Sequence, residues 1–197
     1  MIREIEDRRS IRKYLDISIS KEDIKEILES AIKAPSAKNR QPWKFIVVQG
    51  NAKDEVMQEF RKGLFREENG DGIFGEDGGY LNGAKETAKI MEQAPVIIFV
   101  LNTYGRDLMR ARSVQDYVFD SCNIQSISAA IENMLLAATE KGIGSLWIAD
   151  IYYAYFELLE WLGGKGELIA AVALGYPTKI PPARPRKDFN EVVEWRD

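Results

Sequence analysis

The 197-residue chain has no histidine and one cysteine, Cys122. Without histidine there is no Ser-His-Asp or Cys-His catalysis, no ordinary zinc site, and no side chain with an unperturbed pKa suited to acid–base work near neutrality. A single cysteine excludes an intramolecular disulfide and any cysteine-held metal cluster, so no metal is expected. Apolar runs such as "PVIIFVL" fall far short of the ~20 residues that span a bilayer, and "MIREIEDRR" lacks the apolar stretch of a signal peptide. A cytoplasmic protein without a membrane partner is expected. Acidic residues outnumber basic ones, 31 to 27, and the formal net charge of -4 argues against a nucleic-acid partner. Neither GxGxxG nor a P-loop occurs, which leaves a Rossmann dinucleotide site or an ATPase unsupported.

What remains has the length and composition of one globular domain, residues 1–197. Residues 21–33 put Ile24, Ile27, Leu28, Ala31 and Ile32 on one helical face, after a capping pattern at Ser20 and Asp23. "APSAKNRQPW" then reads as a loop, "KFIVVQG" as a buried strand, and residues 53–65 as a helix. The glycine- and acid-rich residues 66–83 read as a loop or lid. A helix over residues 84–93 precedes the strand "VIIFVL", and "SISAAIENMLLAATEKG" has the stripe of a central buried helix capped by Gly142. "GSLWIAD" and "ELIAAVALGYP" read as strands either side of the helix "YYAYFELLEWLG", and a proline-rich tail follows. The pattern predicts an α+β three-layer arrangement, with helices flanking one mixed central sheet.

Against this acidic background "RRSIRKYLD" concentrates Arg8, Arg9, Ser10 and Arg12, guanidinium forks and a hydroxyl suited to a phosphate dianion. The alternative is a basic helix end that complements the macrodipole and pairs with Glu4, Glu6 and Asp7. Arg184, Arg186 and Lys187 form a second basic cluster in a proline-stiffened segment able to reach the same anion, or else a solvated tail. "APSAKNRQPW" offers Ser36, Asn39 and Gln41 as compact polar groups between Pro35 and Pro42, or is a plain connection with Trp43 in the core. Cys122 reads as an inert thiol near the core, and the aromatic residues 152–161 as packing.

In their order along the chain, RxSxR, "PSAKNRQPW", "AAIENMLLAATEKGIGSLWI", "GYP" and a terminal RxR resemble the nitroreductase family of FMN-dependent NAD(P)H oxidoreductases. The resemblance implies that Arg8, Arg9 and Ser10 hold the FMN phosphate and ribityl chain, with Arg184 and Arg186 closing on the phosphate. It places Arg12 beside the N1/O2 edge, where a cation stabilises the negative charge of reduction. Pro35, Ser36, Ala37 and Asn39 match a loop that reaches the flavin from the other subunit, implying a homodimer with FMN at its interface. Ile148, Ala149 and Asp150 match the loop that offers a main-chain N–H to flavin N5, so no side chain need be catalytic.

The implied cycle is ping-pong, NAD(P)H reducing the flavin and a nitroaromatic, quinone or related small-molecule acceptor reoxidising it. The same resemblance admits dehalogenation, enone reduction, oxygen-dependent flavin chemistry, or a non-catalytic flavin-binding redox sensor. Residues 66–83 become a candidate acceptor-sorting lid. The chain departs from the family pattern at Ala37, where a second serine is common, and at Ala149 and Asp150, where many members carry glycine or glutamate. A carboxylate at position 150 either lowers the flavin potential or points away into solvent.

Overall fold

The structure, a computed structural model, describes residues 1–74 and 80–196. In chain order the elements are α1 (Arg3–Asp7), α2 (Lys21–Ala31), β1 (Trp43–Gln49), α3 (Asn51–Glu68), α4 (Leu81–Gln93), β2 (Val96–Asn102), α5 (Val114–Glu140), β3 (Gly144–Ile148), α6 (Tyr155–Trp161), β4 (Glu167–Gly175) and α7 (Phe189–Val192). Single 3-10 turns occupy Ala37–Asn39 and Asp150–Ala154.

The strands form one sheet in the order β1-β2-β4-β3, and every ladder in it is antiparallel. The α+β layering matches expectation, but the mixed pairing does not. Two helices, α3 and α4, join β1 to β2, so the chain comes back to the end where β1 finished and pairs antiparallel. The single-helix crossover through α5 does leave β3 parallel in direction to β2. β4 then inserts between them, so the one parallel contact among the described residues is an isolated bridge from Ser10 to Ser145.

The period-two alternation of side chains splits the core between the two faces of the sheet. Ile97, Phe99 and Leu101 of β2 pack with Val56, Met57 and Phe60 of α3 and Met91 of α4. Val96, Ile98 and Val100 pack with Ile24 and Ile27 of α2 and Ile127, Ile131 and Met134 of α5. A register shift opposite Val100 and Leu101 puts both Ile169 and Ala170 of β4 on this second face.

Capping explains where the helices begin and end. α2 starts where Ser20 Oγ accepts from the Asp23 N–H at 3.0 Å. α5 begins earlier than the apolar stripe indicates, because Ser113 and Asp116 complete a reciprocal capping box. It stops before Gly142, whose φ of 69° suits glycine. Lys141 then ties α5 to α2 through Asp23, at 2.9 Å, and Glu26.

The excursion over residues 66–83 is shorter than its composition predicts, since α3 runs on to Glu68 and α4 begins at Leu81. The buried Glu67 carboxylate accepts from the N–H groups of Ile73, at 2.7 Å, and Phe74. The lid expected there lies partly outside the described residues. No described helix is long and apolar enough to cross a membrane, and no group of potential metal ligands occurs among the described residues.

Candidate active site

After α1 the basic segment crosses the end of the sheet. The Ile11 N–H donates to Ser145 O at 2.9 Å, the Leu15 N–H to Tyr176 O at 2.8 Å, and the Thr178 N–H to Lys13 O at 3.1 Å. Residues 10–15 are thus laced both to β3 and to the chain leaving β4. Two glycines that face each other across the β3–β4 ladder, Gly144 and Gly175, make room for it. A Cβ on Gly144 would lie 2.7 Å from Ile11 Cγ1, and one on Gly175 would lie 2.6 Å from Tyr14 Cδ1. Tyr14 Oη donates to Ile11 O at 2.9 Å, and burial holds its phenol far above the ordinary pKa, so it stays neutral.

This lacing delivers the tail to the arginines. Arg8, Arg9, Ser10, Arg12, Arg184 and Arg186 line one cavity of about 210 Å³, walled by Pro181 and Pro182. Arg8 approaches Glu132 of α5 at 3.6 Å. The hydrogen bonds of Arg9, Arg12 and Arg186 run instead to main-chain carbonyls, those of Arg9 to Glu6 O and Arg8 O at 2.5 and 2.8 Å. Among the described residues Arg9 Nε is buried without a partner. With only Arg8 of these arginines near a carboxylate among the described residues, the gathered guanidinium groups make an electropositive cleft, and that donor set fits a phosphate ester.

The other predicted site residues lie outside this cavity. Pro35, Ser36, Ala37 and Asn39 sit on the connection from α2 to β1, where Lys38, Asn39 and Gln41 adopt φ of 54°, 51° and 50°. Left-handed backbone costs a non-glycine residue about 1 kcal/mol or more, so the conformation must be enforced from outside. Ser36 Oγ accepts from the Gln41 N–H at 3.0 Å, Ser126 Oγ of α5 accepts from the Ala37 N–H at 3.2 Å, and Arg40 lies 4.5 Å over the Phe119 ring. Thr103 closes the far end, its N–H donating to Pro42 O at 2.7 Å.

Ile148, Ala149 and Asp150 carry the chain out of β3 into the second 3-10 turn. Ile148 is buried and Ala149 exposed. Among the described residues the N–H groups of Ala149 and Asp150 have no acceptor in the turns, loops or side chains. The Asp150 carboxylate accepts a hydrogen bond from the Thr87 hydroxyl of α4. Thr87, Ser126 and Glu132 carry no local signal in the sequence. The first two act on partners 63 and 89 residues away, which only the fold brings within reach.

Fold and site together define an α+β protein with a basic cleft at one end of its sheet, lined by arginines from both ends of the chain. The sequence model of the nitroreductase family matches residues 5–176, and the chain belongs to that family. It is 34% identical over 190 residues to a protein from Archaeoglobus fulgidus provisionally named NADH dehydrogenase/NAD(P)H nitroreductase, covering 93% of this chain and 86% of the relative. It superposes on a BluB-like flavoprotein from Clostridium difficile 630 with a TM-score of 0.78 and 26% identity, covering 99% of this chain and 98% of the other. A provisionally named nitroreductase from Desulfovibrio desulfuricans, solved in complex with FMN, matches with a TM-score of 0.71 and 27% identity, covering 100% and 96% of the two chains.

Proposed function

We propose that the protein is a cytoplasmic, homodimeric FMN oxidoreductase that takes hydride from NAD(P)H and delivers it to a nitroaromatic, quinone or related small acceptor. The observation that carries this reading is the convergence of Arg8, Arg9, Arg12, Arg184 and Arg186 on one cavity from opposite ends of the chain. Bound flavin supplies the hydride chemistry, in a ping-pong cycle that uses one site for both partners. In this reading Arg8, Arg9, Ser10, Arg184 and Arg186 hold the phosphate by charge-assisted hydrogen bonds, and Arg12 stabilises negative charge at the ring's N1/O2 edge. The N–H groups at Ala149 and Asp150 serve as main-chain donors toward N5.

Residues 35–39 act in trans. They lie outside the arginine cavity of their own chain, and their conformation is braced by α5, whose outer face exposes Val114, Tyr117 and Val118. An apolar helix face of this kind supports pairing with a second copy.

The deciding measurement is the visible spectrum of the purified protein before and after anaerobic addition of NADH or NADPH. A yellow protein that bleaches supports the proposal. A colourless protein that takes up no added FMN overturns it. Steady-state rates across nitroaromatics, quinones, halogenated aromatics and enones then define the acceptor class.

A further inference from the structure

We propose that Thr87 and Asp150 form a positioning pair. Thr87 holds the Asp150 carboxylate against α4, which fixes the loop that leaves β3 and directs the carboxylate's charge away from the flavin. The electrostatic part rests on the FMN reading above; the positioning part does not.

Asp150 is the first residue of the 3-10 turn Asp150–Ala154, a turn whose N-cap position is Ala149 and which has no side-chain cap. The Asp150 carboxylate crosses to the Thr87 hydroxyl. A helical threonine usually returns its hydroxyl to a carbonyl one turn back, so this outward bond is a specific use of the side chain. A second tie from the same side is the Tyr80 N–H, immediately before α4, which donates to Tyr153 Oη at 2.8 Å. The Phe74 ring lies 4.6 Å from that of Tyr153. Behind the turn α3 leaves no slack, since a Cβ on Gly63 would fall 2.3 Å from Ala154 Cβ.

Ile151 and Ala154 are fully buried, so the turn is clamped at its middle and end by apolar packing. Its start is held by the Thr87 bond, and the start carries the N–H groups of Ala149 and Asp150. The bond also answers what Asp150 contributes in place of the glycine or glutamate of the family pattern. With Thr87 present the carboxylate is engaged by α4. Without it an anionic group is free to swing beside a ring that must accept negative charge, and reduction becomes less favourable.

The test separates the two parts. Amide exchange at Tyr152, whose N–H donates to Ala149 O at 3.2 Å across the start of the turn, reports positioning directly in the FMN-free protein. Thr87→Val is expected to raise it about tenfold, as loss of one hydrogen bond to a charged group predicts, and Thr87→Ser to restore protection. Unchanged exchange in Thr87→Val overturns the pair whether or not the protein binds flavin. In the FMN-loaded protein a redox titration should give a more negative midpoint for Thr87→Val, and no such difference when the same change is made in an Asp150→Asn background. Faster exchange with an unmoved midpoint refutes the electrostatic role, whereas failure to bind FMN refutes the functional reading alone.

Discussion

Gly144 is where the basic segment meets the sheet, and there a missing side chain decides whether the site assembles. Ile11 occupies the space a Cβ would fill. Gly144→Ala should therefore push residues 8–12 off β3, destabilising the fold by about 1–3 kcal/mol as overpacking does. FMN retention should fall in the same variant, both effects being measurable by denaturant unfolding and by flavin titration. In the sequence this residue is simply the second glycine of "GIGS", too short a pattern to interpret. In the proposed reading the arginines separate by role at the same scale. Arg8→Ala should weaken FMN binding about tenfold or more, the worth of a charge-assisted contact. Arg12→Ala should chiefly make the bound flavin's midpoint more negative, and loss of affinity alone in both variants would refute that division.

Among the elements, the connection between β2 and α5 shows charge used to join secondary structures. Asn102 at the end of β2 donates to Glu167 Oε2 at 3.3 Å, and Arg112 reaches both Glu167, at 3.5 Å, and Asp120, at 3.0 Å. Burial raises the Glu167 pKa above its ordinary 4.5, and nearby Asp120 adds to the rise, while Asn102 and Arg112 oppose it. The folded protein therefore binds this proton more tightly than the unfolded chain does. The contribution of Glu167 is fully present below pH 4.5 and is lost as pH rises through the folded value. Relative to the parent, Glu167→Gln should gain stability as pH increases from about 4.5 to 7, read by urea unfolding at several pH values. A constant difference across that range would contradict the shift. Nearby, Tyr155 is pushed up to about 12 by burial and stays neutral throughout.

For the whole molecule the open question is what covers the exposed apolar surface. Tyr117 and Val118 on α5 are 66% and 55% exposed, and Phe189, Val192 and Trp195 in the tail are similarly uncovered. Isolated apolar residues on a surface need no partner, but a group of them along one long helix does. Sedimentation should give a particle near twice the 22.4 kDa of one chain. Tyr117→Glu combined with Val118→Asp should shift it toward the monomer and release FMN at the same time, because residues 35–39 would no longer reach a second site. A monomeric variant that keeps its flavin would show that the site is complete within one chain.

How much of this was legible beforehand follows from the range of the interactions involved. Helix faces such as Ile24, Ile27 and Ala31 and strand runs such as residues 96–101 are set by periodicities of a few residues, so their positions could be read from the chain, as could the two arginine clusters and the chemistry that the lack of histidine excludes. Helix ends were less legible, since α5 begins at a capping box well before its apolar stripe. Strand pairing was not legible: whether β4 enters between β2 and β3 depends on contacts among distant segments, and its entry makes the sheet antiparallel. The joining of Arg8 to Arg186 in one cavity, the bracing of residues 37–41 by Ser126 and the Thr87–Asp150 bond are likewise products of tertiary structure. Each depends on side chains many residues apart meeting within a few ångströms, a distance that no local pattern encodes.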